Sequence, residues 1–348
     1  MFFNPLEWFF LFIYWFLSIL NSFLFKIKLK KTVVFPTFIL SVGNLSFGGA
    51  GKTPMIELLS AFLSSEGLSH SIISRGYGRK NFDNLLVSDK RSIISTVSDA
   101  GDEPFLLANS LVGVPVAVGN KLKTIPMLLN LFSSKVILVD DGFQTFSLSR
   151  NLDIVLIDCS VNINYYRLFP LGFLREPVAC VSRAHLVVFT KCNYDSGSAK
   201  KIKSLVFKYI NKKNIAVFEA DYFLSLKKYS LKNLCFIDWD KKISSPVVAF
   251  CGIAQSNIFT NSLLSFCENL IITKTFPDHA SYSKRSIKSL QVLLQKHARS
   301  VLVTTRKDFF KIREALKGYT IYVVDVEHKI KETGTFQSFL RNRFIDLL

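Results

Sequence analysis

The run Gly43-Asn44-Leu45-Ser46-Phe47-Gly48-Gly49-Ala50-Gly51-Lys52-Thr53-Pro54 constrains the fold of this 348-residue chain more than any other stretch. Phe35 to Leu40, just before it, is short and apolar and reads as a strand. Met55 to Ser64, just after it, carries apolar residues at helical spacing. Strand, glycine-rich turn and helix in that order leave backbone N–H groups free at a helix N-terminus, where the partial positive charge favours an anion. With Gly51-Lys52-Thr53 at the junction, the stretch matches a phosphate-binding loop. On this reading Gly48, Gly49, Ala50, Gly51, Lys52 and Thr53 cradle a nucleotide triphosphate. Lys52 reaches its β- and γ-phosphates, and Thr53 offers its hydroxyl to Mg2+. The usual first glycine of the pattern falls at Ser46, and Gly48 and Gly49 supply the freedom inside the loop.

A second stretch agrees with the first. Val136-Ile137-Leu138-Val139 is a continuous β-branched and aliphatic run, as expected of a strand buried on both faces of a parallel sheet. It ends in Asp140-Asp141-Gly142-Phe143-Gln144, where a phosphate-loop protein holds its metal through a carboxylate; Asp140 and Asp141 are therefore expected metal ligands with Thr53. Strands and helices alternate onward through Asp153–Asp158 and His185–Phe189. The pattern restarts at Pro246-Val247-Val248-Ala249-Phe250-Cys251-Gly252 and continues to Tyr319–Val324. The expected class is α/β: a phosphate-loop core with a parallel sheet, followed by a second, smaller α/β domain. The expected divisions are 1–31, 32–225 and 226–348.

The first segment differs in character. Leu6 to Phe25 is nearly all aromatic and aliphatic, with no charge after Glu7, and is close to the ~20 residues that span a bilayer. The basic cluster Lys26, Lys28, Lys30 and Lys31 follows the apolar run instead of preceding it, which argues against a cleaved leader. Glu7, Tyr14, Ser18 and Asn21 share one narrow helical face, so a helix lying in the membrane interface or docked on the body is expected. The net charge of +18 favours a polyanionic partner: nucleic acid, nucleotide or an anionic membrane surface. Six cysteines, none in a C-x-x-C pair and most in apolar runs, exclude a disulfide or zinc framework.

Three further motifs carry chemistry. Ser74-Arg75-Gly76-Tyr77-Gly78 is a loop that combines flexibility with positive charge. Ser98-Asp99-Ala100-Gly101-Asp102-Glu103-Pro104 opens a helix, and its spacing alone favours capping. Leu174-Arg175-Glu176-Pro177 carries an arginine able to grip a phosphate bidentately or to pair with Glu176. A fourth run, Thr190-Lys191-Cys192-Asn193, lies where G proteins read guanine with Asn/Thr-Lys-x-Asp, but Asn193 stands where the carboxylate belongs.

Taken together and in order, the Gly43 to Pro54 run, Ser74 to Gly78, Gly101 to Pro104, Asp140 to Gln144 and Leu174 to Pro177 resemble the tetraacyldisaccharide 4'-kinase family, the lipid A 4'-kinases of Gram-negative-type bacteria. The resemblance implies an ATP- and Mg2+-dependent lipid kinase that phosphorylates the 4'-hydroxyl of a tetraacyldisaccharide 1-phosphate. It implies work at the cytoplasmic face of the inner membrane, with no nucleic acid and no protein partner. It makes Asp102 the catalytic base, assisted by His279 of the Asp278-His279 pair, and Lys52 a catalytic cation. It turns Arg75, Tyr77, Gln144 and Arg175 toward the substrate. The chain departs from the family pattern at Thr145 and Ala280. The readings from other classes are a membrane-associated phosphate-loop GTPase or assembly ATPase, and a basic protein that only binds membrane anions.

Overall fold

A computed structural model describes residues 12, 13, 25, 30–169, 171–211, 214–230, 235–253, 256–278, 280–297 and 299–348. The expected apolar helix over 6–25 and His279 lie outside the described residues, apart from Phe12, Ile13 and Phe25.

The described strands form a single sheet. They are β1 (Phe38–Asn44), β2 (His70–Ser74), β3 (Leu85–Ser88), β4 (Val116–Val118), β5 (Val136–Asp140), β6 (Leu152–Asp158), β7 (Leu186–Thr190), β8 (Ala216–Ser230), β9 (Cys235–Asp238), β10 (Val247–Cys251), β11 (Leu270–Thr275), β12 (Val301–Thr305) and β13 (Ile321–Ile330). In space they run β11-β10-β12-β13-β8-β7-β6-β1-β5-β2-β4-β3, with β9 on β8. The ladders are parallel except for β3 on β4, β13 on β8 and β9 on β8. β1 sits between β5 and β6, and every residue of β5 and β6 is buried, as expected of mainly apolar strands inside a parallel sheet. The loops after β1 and β5 therefore emerge side by side at the carboxyl edge of the sheet, the usual ligand position in an open α/β sheet.

The main helices are α1 (Lys52–Ser65), α2 (Val97–Ala100), α3 (Asp102–Ser110), α4 (Lys121–Phe132), α5 (Ser196–Ile210), α6 (Ser256–Phe266), α7 (Lys284–Lys296), α8 (Arg306–Ile312) and α9 (Thr333–Phe344). Helix α5 is amphipathic: it buries Ala199, Ile202, Val206 and Ile210 and turns its lysines outward.

β8 pairs with β7 and β13 along its length. Its first part pairs in parallel with β7, Leu186 opposite Ala216 through Thr190 opposite Ala220. Its whole length from Ala220 to Lys228 pairs antiparallel with β13. The division expected at 225/226 thus falls inside one strand that belongs to both halves. The core is shared as well. α9, at the end of the chain, buries Phe336, Leu340 and Phe344, and the Phe344 ring lies 4.8 Å from Phe38 and 6.4 Å from Phe62. Near the N-terminus, Phe25 stacks on Phe146 with ring centroids 5.7 Å apart, and Val33 exchanges backbone hydrogen bonds with Ser147 and Ser149.

Candidate functional site

The phosphate loop is shaped by two left-handed glycines, Gly48 (φ 99°) and Gly51 (φ 89°). Gly51 is the N-cap of α1, and a side chain there would meet His328 Nε2 at 2.2 Å as well as incur the φ penalty. Helix α1 then buries Met55, Ile56, Leu59, Phe62 and Leu63 beneath the sheet, so the loop amides stand on a fixed helix. Lys52 Nζ donates to Asn44 Oδ1 at 3.2 Å and lies 3.6 Å from Asp141 Oδ1. Asn44 is fully buried and holds the loop by donating to Ser46 O at 2.8 Å. Gln144 Nε2 donates to Asn44 O at 2.9 Å, which ties the second motif to the first.

The paired aspartates are unlike each other. Asp141 sits at φ 51°, and Arg175 Nη1 donates to both its oxygens, at 2.8 and 3.0 Å. Burial would raise the Asp141 carboxyl, but Lys52 and Arg175 outweigh it and hold it below the ordinary range. Asp140 is buried and accepts a hydrogen bond from Ser74 Oγ at 2.7 Å. Burial first, then the charge of Glu103, pushes its carboxyl up to about 6 against the opposing pull of Lys52. The charge of Glu103 raises Asp140 beside the phosphate loop, a repulsion that a divalent cation would relieve, so Asp140, with Glu103 near it, fits a hard cation. Asp141 already has two cationic partners. Nearby Lys121 is buried, which draws its ammonium down to about 8 against the pull of Asp141 and Asp140. It donates to Asp141 O and, at 3.3 Å, to Thr145 Oγ1, so the Thr145 departure is taken up by a lysine.

Arg175 does not pair with its neighbour Glu176, which is held instead by Arg183 at 2.8 Å. The Arg175 loop is threaded onto the phosphate loop: Arg175 N donates to Leu45 O at 2.7 Å, Phe47 N to Phe173 O at 2.6 Å, and the guanidinium lies 5.2 Å from the Phe47 ring centroid. Arg75 and Tyr77 are exposed on the loop after β2. That loop is wedged against the turn before Asp102, where a Cβ on Gly76 would lie 2.6 Å from Ala100 O and one on Gly101 2.9 Å from Tyr77 O.

Asp102 is the first residue of α3, and the N-cap is Gly101, so the capping reading is not what its side chain does. Its carboxylate turns to Lys311 at 2.7 Å and Lys307 at 3.7 Å, both on α8 of the far half. Lys307 also lies 3.8 Å from Asp278, and Lys311 donates to Ala280 O at 3.0 Å. The two residues flanking position 279 are therefore held by the same lysines as Asp102. A second tie crosses the halves through Arg306, which grips Glu57 of α1 at 2.7 Å and Asp325 of β13 at 3.0 Å. Burial would lower the Arg306 guanidinium, but the charges of Glu57 and Asp325 outweigh it and keep it above its ordinary range.

A family model described as tetraacyldisaccharide-1-P 4'-kinase matches residues 3–345. The chain belongs to this family. Tetraacyldisaccharide 4'-kinase of Halothermothrix orenii is 32% identical over 339 residues, covering 92% of this chain and 88% of that protein. Its counterpart in Desulfatibacillum aliphaticivorans is 31% identical over 317 residues, covering 90% and 85%. Among solved structures, the Aquifex aeolicus LpxK in complex with ATP superposes with a TM-score of 0.77 at 26% identity, over 96% of this chain and 97% of that one. The family resemblance seen in the motifs thus extends along the sequence and through the fold. What motif reading missed are the lysines of α8, Lys121, Glu103, Lys191 and His328. Only Glu103 lay inside a quoted motif beside a chosen residue, and its proximity to Asp140 crosses from one loop to another.

Proposed function

We propose that this chain is the ATP-dependent tetraacyldisaccharide 4'-kinase of lipid A biosynthesis, transferring the γ-phosphoryl group of ATP to the 4'-hydroxyl of a tetraacyldisaccharide 1-phosphate. The observation that carries the reading is the match of the family model over residues 3–345, joined to a phosphate loop whose Lys52 stands between Asn44 and Asp141. In this reading the loop residues Gly48 to Thr53 bind the triphosphate through backbone amides, and Lys52 offsets charge on its β- and γ-oxygens. Asp140 and Thr53 would hold Mg2+, which would supply positive charge to offset that of the triphosphate. Asp141, gripped by Arg175 and Lys52, keeps those two cations in place. Asp102 accepts the proton of the sugar hydroxyl. Lys311 and Lys307 hold its carboxylate in place from the far half of the chain. His279 assists it from the loop between Asp278 and Ala280. Arg75, Tyr77, Gln144 and Arg175 contact the sugar or its 1-phosphate. Residues 32–225 and 226–348 serve as two lobes joined through β8, with Asp102 held by the same lysines that contact Asp278 and Ala280.

The guanine reading is disfavoured by a specific contact. Asn193 spends its amide on the β8 backbone, donating to Tyr222 O at 2.9 Å and accepting from Tyr222 N at 3.1 Å. The test is incubation of the purified chain with γ-labelled ATP and the lipid acceptor. Label should pass to the lipid, and ATP should not be consumed without it. Acceptor-independent hydrolysis, or a preference for GTP, would favour the GTPase or ATPase class.

The membrane surface is the proposed place of work, on the cytoplasmic face of the inner membrane. Among the described residues no helix is long and apolar enough to cross a membrane. The apolar run at 6–25, its lysine flank and the net charge of +18 support attachment in the interface. Phe25 stacked on Phe146 roots that segment five residues beyond Asp141. Deleting residues 1–25 should reduce sedimentation with anionic vesicles, while high salt alone should release the full chain poorly, because apolar burial is not screened. Complete release by salt would assign the attachment to the lysines alone.

A further inference from the structure

Three successive carbonyls of the phosphate loop are each taken by a buried side chain from outside it. Lys191 Nζ donates to Gly49 O at 2.8 Å, and Thr190 Oγ1 donates to Ala50 O at 3.0 Å. His328 Nε2 lies 2.9 Å from Gly51 O. A carbonyl only accepts, so the His328 ring carries a proton on Nε2. The three donors come from two places. Thr190 ends β7 and Lys191 follows it, whereas His328 stands on β13, 277 positions from the glycine it touches. Each donor is itself fixed. Lys191 sits at φ 57° and is anchored by Asp158 at 2.7 Å. The ring of Tyr222 on β8 lies 5.8 Å from the His328 ring and 5.3 Å from Lys191 Nζ, so one aromatic supports both.

The consequence follows from the peptide unit. In a planar trans peptide the C=O of one residue and the N–H of the next point in opposite directions. Holding Ala50 O and Gly51 O from one side aims the N–H groups of Gly51 and Lys52 to the other. Holding Gly49 O does the same for Ala50, whose N–H donates to Gly48 O at 3.1 Å and would exchange that partner for a phosphate oxygen. Gly51 O also accepts the first helical bond, from Met55 N at 3.2 Å, so His328 fills its second lone pair and ties the loop's end and the start of α1 to β13.

We propose that His328, together with Thr190 and Lys191, is a positioning residue of the ATP site: it presets the amides of the phosphate loop from the loop's far side, and makes nucleotide affinity depend on a strand of the second half of the chain. This rests on the kinase reading above. His328 works on the carbonyl side, opposite the amides, so its effect passes through Gly51. Burial keeps the imidazole below the ordinary histidine range, against the Gly51 carbonyl, so the donor is neutral and a neutral amide can replace it.

The test compares His328→Phe with His328→Gln in the full-length chain. Phe keeps a ring but no donor, whereas the Gln side-chain amide can reach the same carbonyl. The readouts are equilibrium binding of a non-hydrolysable ATP analogue, KM for ATP and kcat at saturating lipid acceptor, and thermal stability. His328→Phe should weaken analogue binding and raise KM for ATP by roughly 3–10-fold, one hydrogen bond's worth, with kcat little changed. His328→Gln should bind as the unaltered chain does. If the Phe variant bound the analogue normally, or if Gln and Phe were equally impaired, the donor would have no positioning role and the proposal would fall. An unaltered chain that failed to bind the analogue would overturn the kinase reading and this proposal together.

Discussion

Lys52→Ala is expected to lower phosphoryl transfer by roughly 10²–10³-fold or more, the cost of removing one preorganised charge donor from a transition state that develops negative charge. The fold should survive. Lys52 makes a hydrogen bond to Asn44 and a longer ion pair to Asp141. Asn44 keeps its bond to Ser46 and the one from Gln144, and Asp141 keeps Arg175. Thermal unfolding should therefore move little while turnover collapses. Lys52→Arg should rescue poorly, because a planar guanidinium cannot take the place of a compact ammonium inside a loop that close. The measurement is label transfer to the lipid acceptor at saturating ATP, beside a melting curve for each variant. Near-normal turnover in folded Lys52→Ala protein would move the ATP site elsewhere in the molecule.

Features written in local order were legible before the structure. Strand, glycines, Lys52 and helix are contiguous, and the Val136–Val139 run announces a strand buried on both faces; the two strands pair side by side in the sheet. Asp140 and Asp141 could be located but not told apart, because their difference lies in partners from other loops: Arg175 for one, Ser74 and Glu103 for the other. The Thr190-Lys191 run was noticed for base recognition, whereas its side chains hold Ala50 and Gly49. His328 had no motif at all: a histidine in an alternating strand is silent until β13 is folded beside β8. Arg306 and Glu57, 249 positions apart, were equally silent. The length of β8 has no local signal, because its partner changes along it from β7 to β13. Contacts of long sequence separation leave no periodic trace, so what escaped the sequence is mostly what joins the two halves.

Asp102→Asn is the sharpest test of the chemistry, since the amide keeps the shape of the carboxylate and can still accept from Lys311, while losing the capacity to take a proton. As the general base, it should cost roughly 10²–10⁴-fold in kcat, with KM for ATP little changed because Asp102 stands outside the phosphate loop. His279→Ala should cost less. If the two act as a unit, the double variant should be little worse than Asp102→Asn alone, because residues in one catalytic unit are not additive. The geometry sets an alternative against which this can be judged. Asp102 is tied to Lys311 and Lys307, and Lys307 to Asp278, so the aspartate could serve only to fasten α3 to the far half. In that case Asp102→Asn would lower thermal stability in step with activity, and Lys311→Met would lower both to a similar degree. A base predicts a different pattern: a large loss of kcat at nearly unchanged stability in Asp102→Asn, and a much smaller loss in Lys311→Met, where the carboxylate remains. Fully multiplicative losses for Asp102 and His279 would separate the two residues, and an unaffected Asp102→Asn enzyme would leave the ion pairs as the whole of this residue's work.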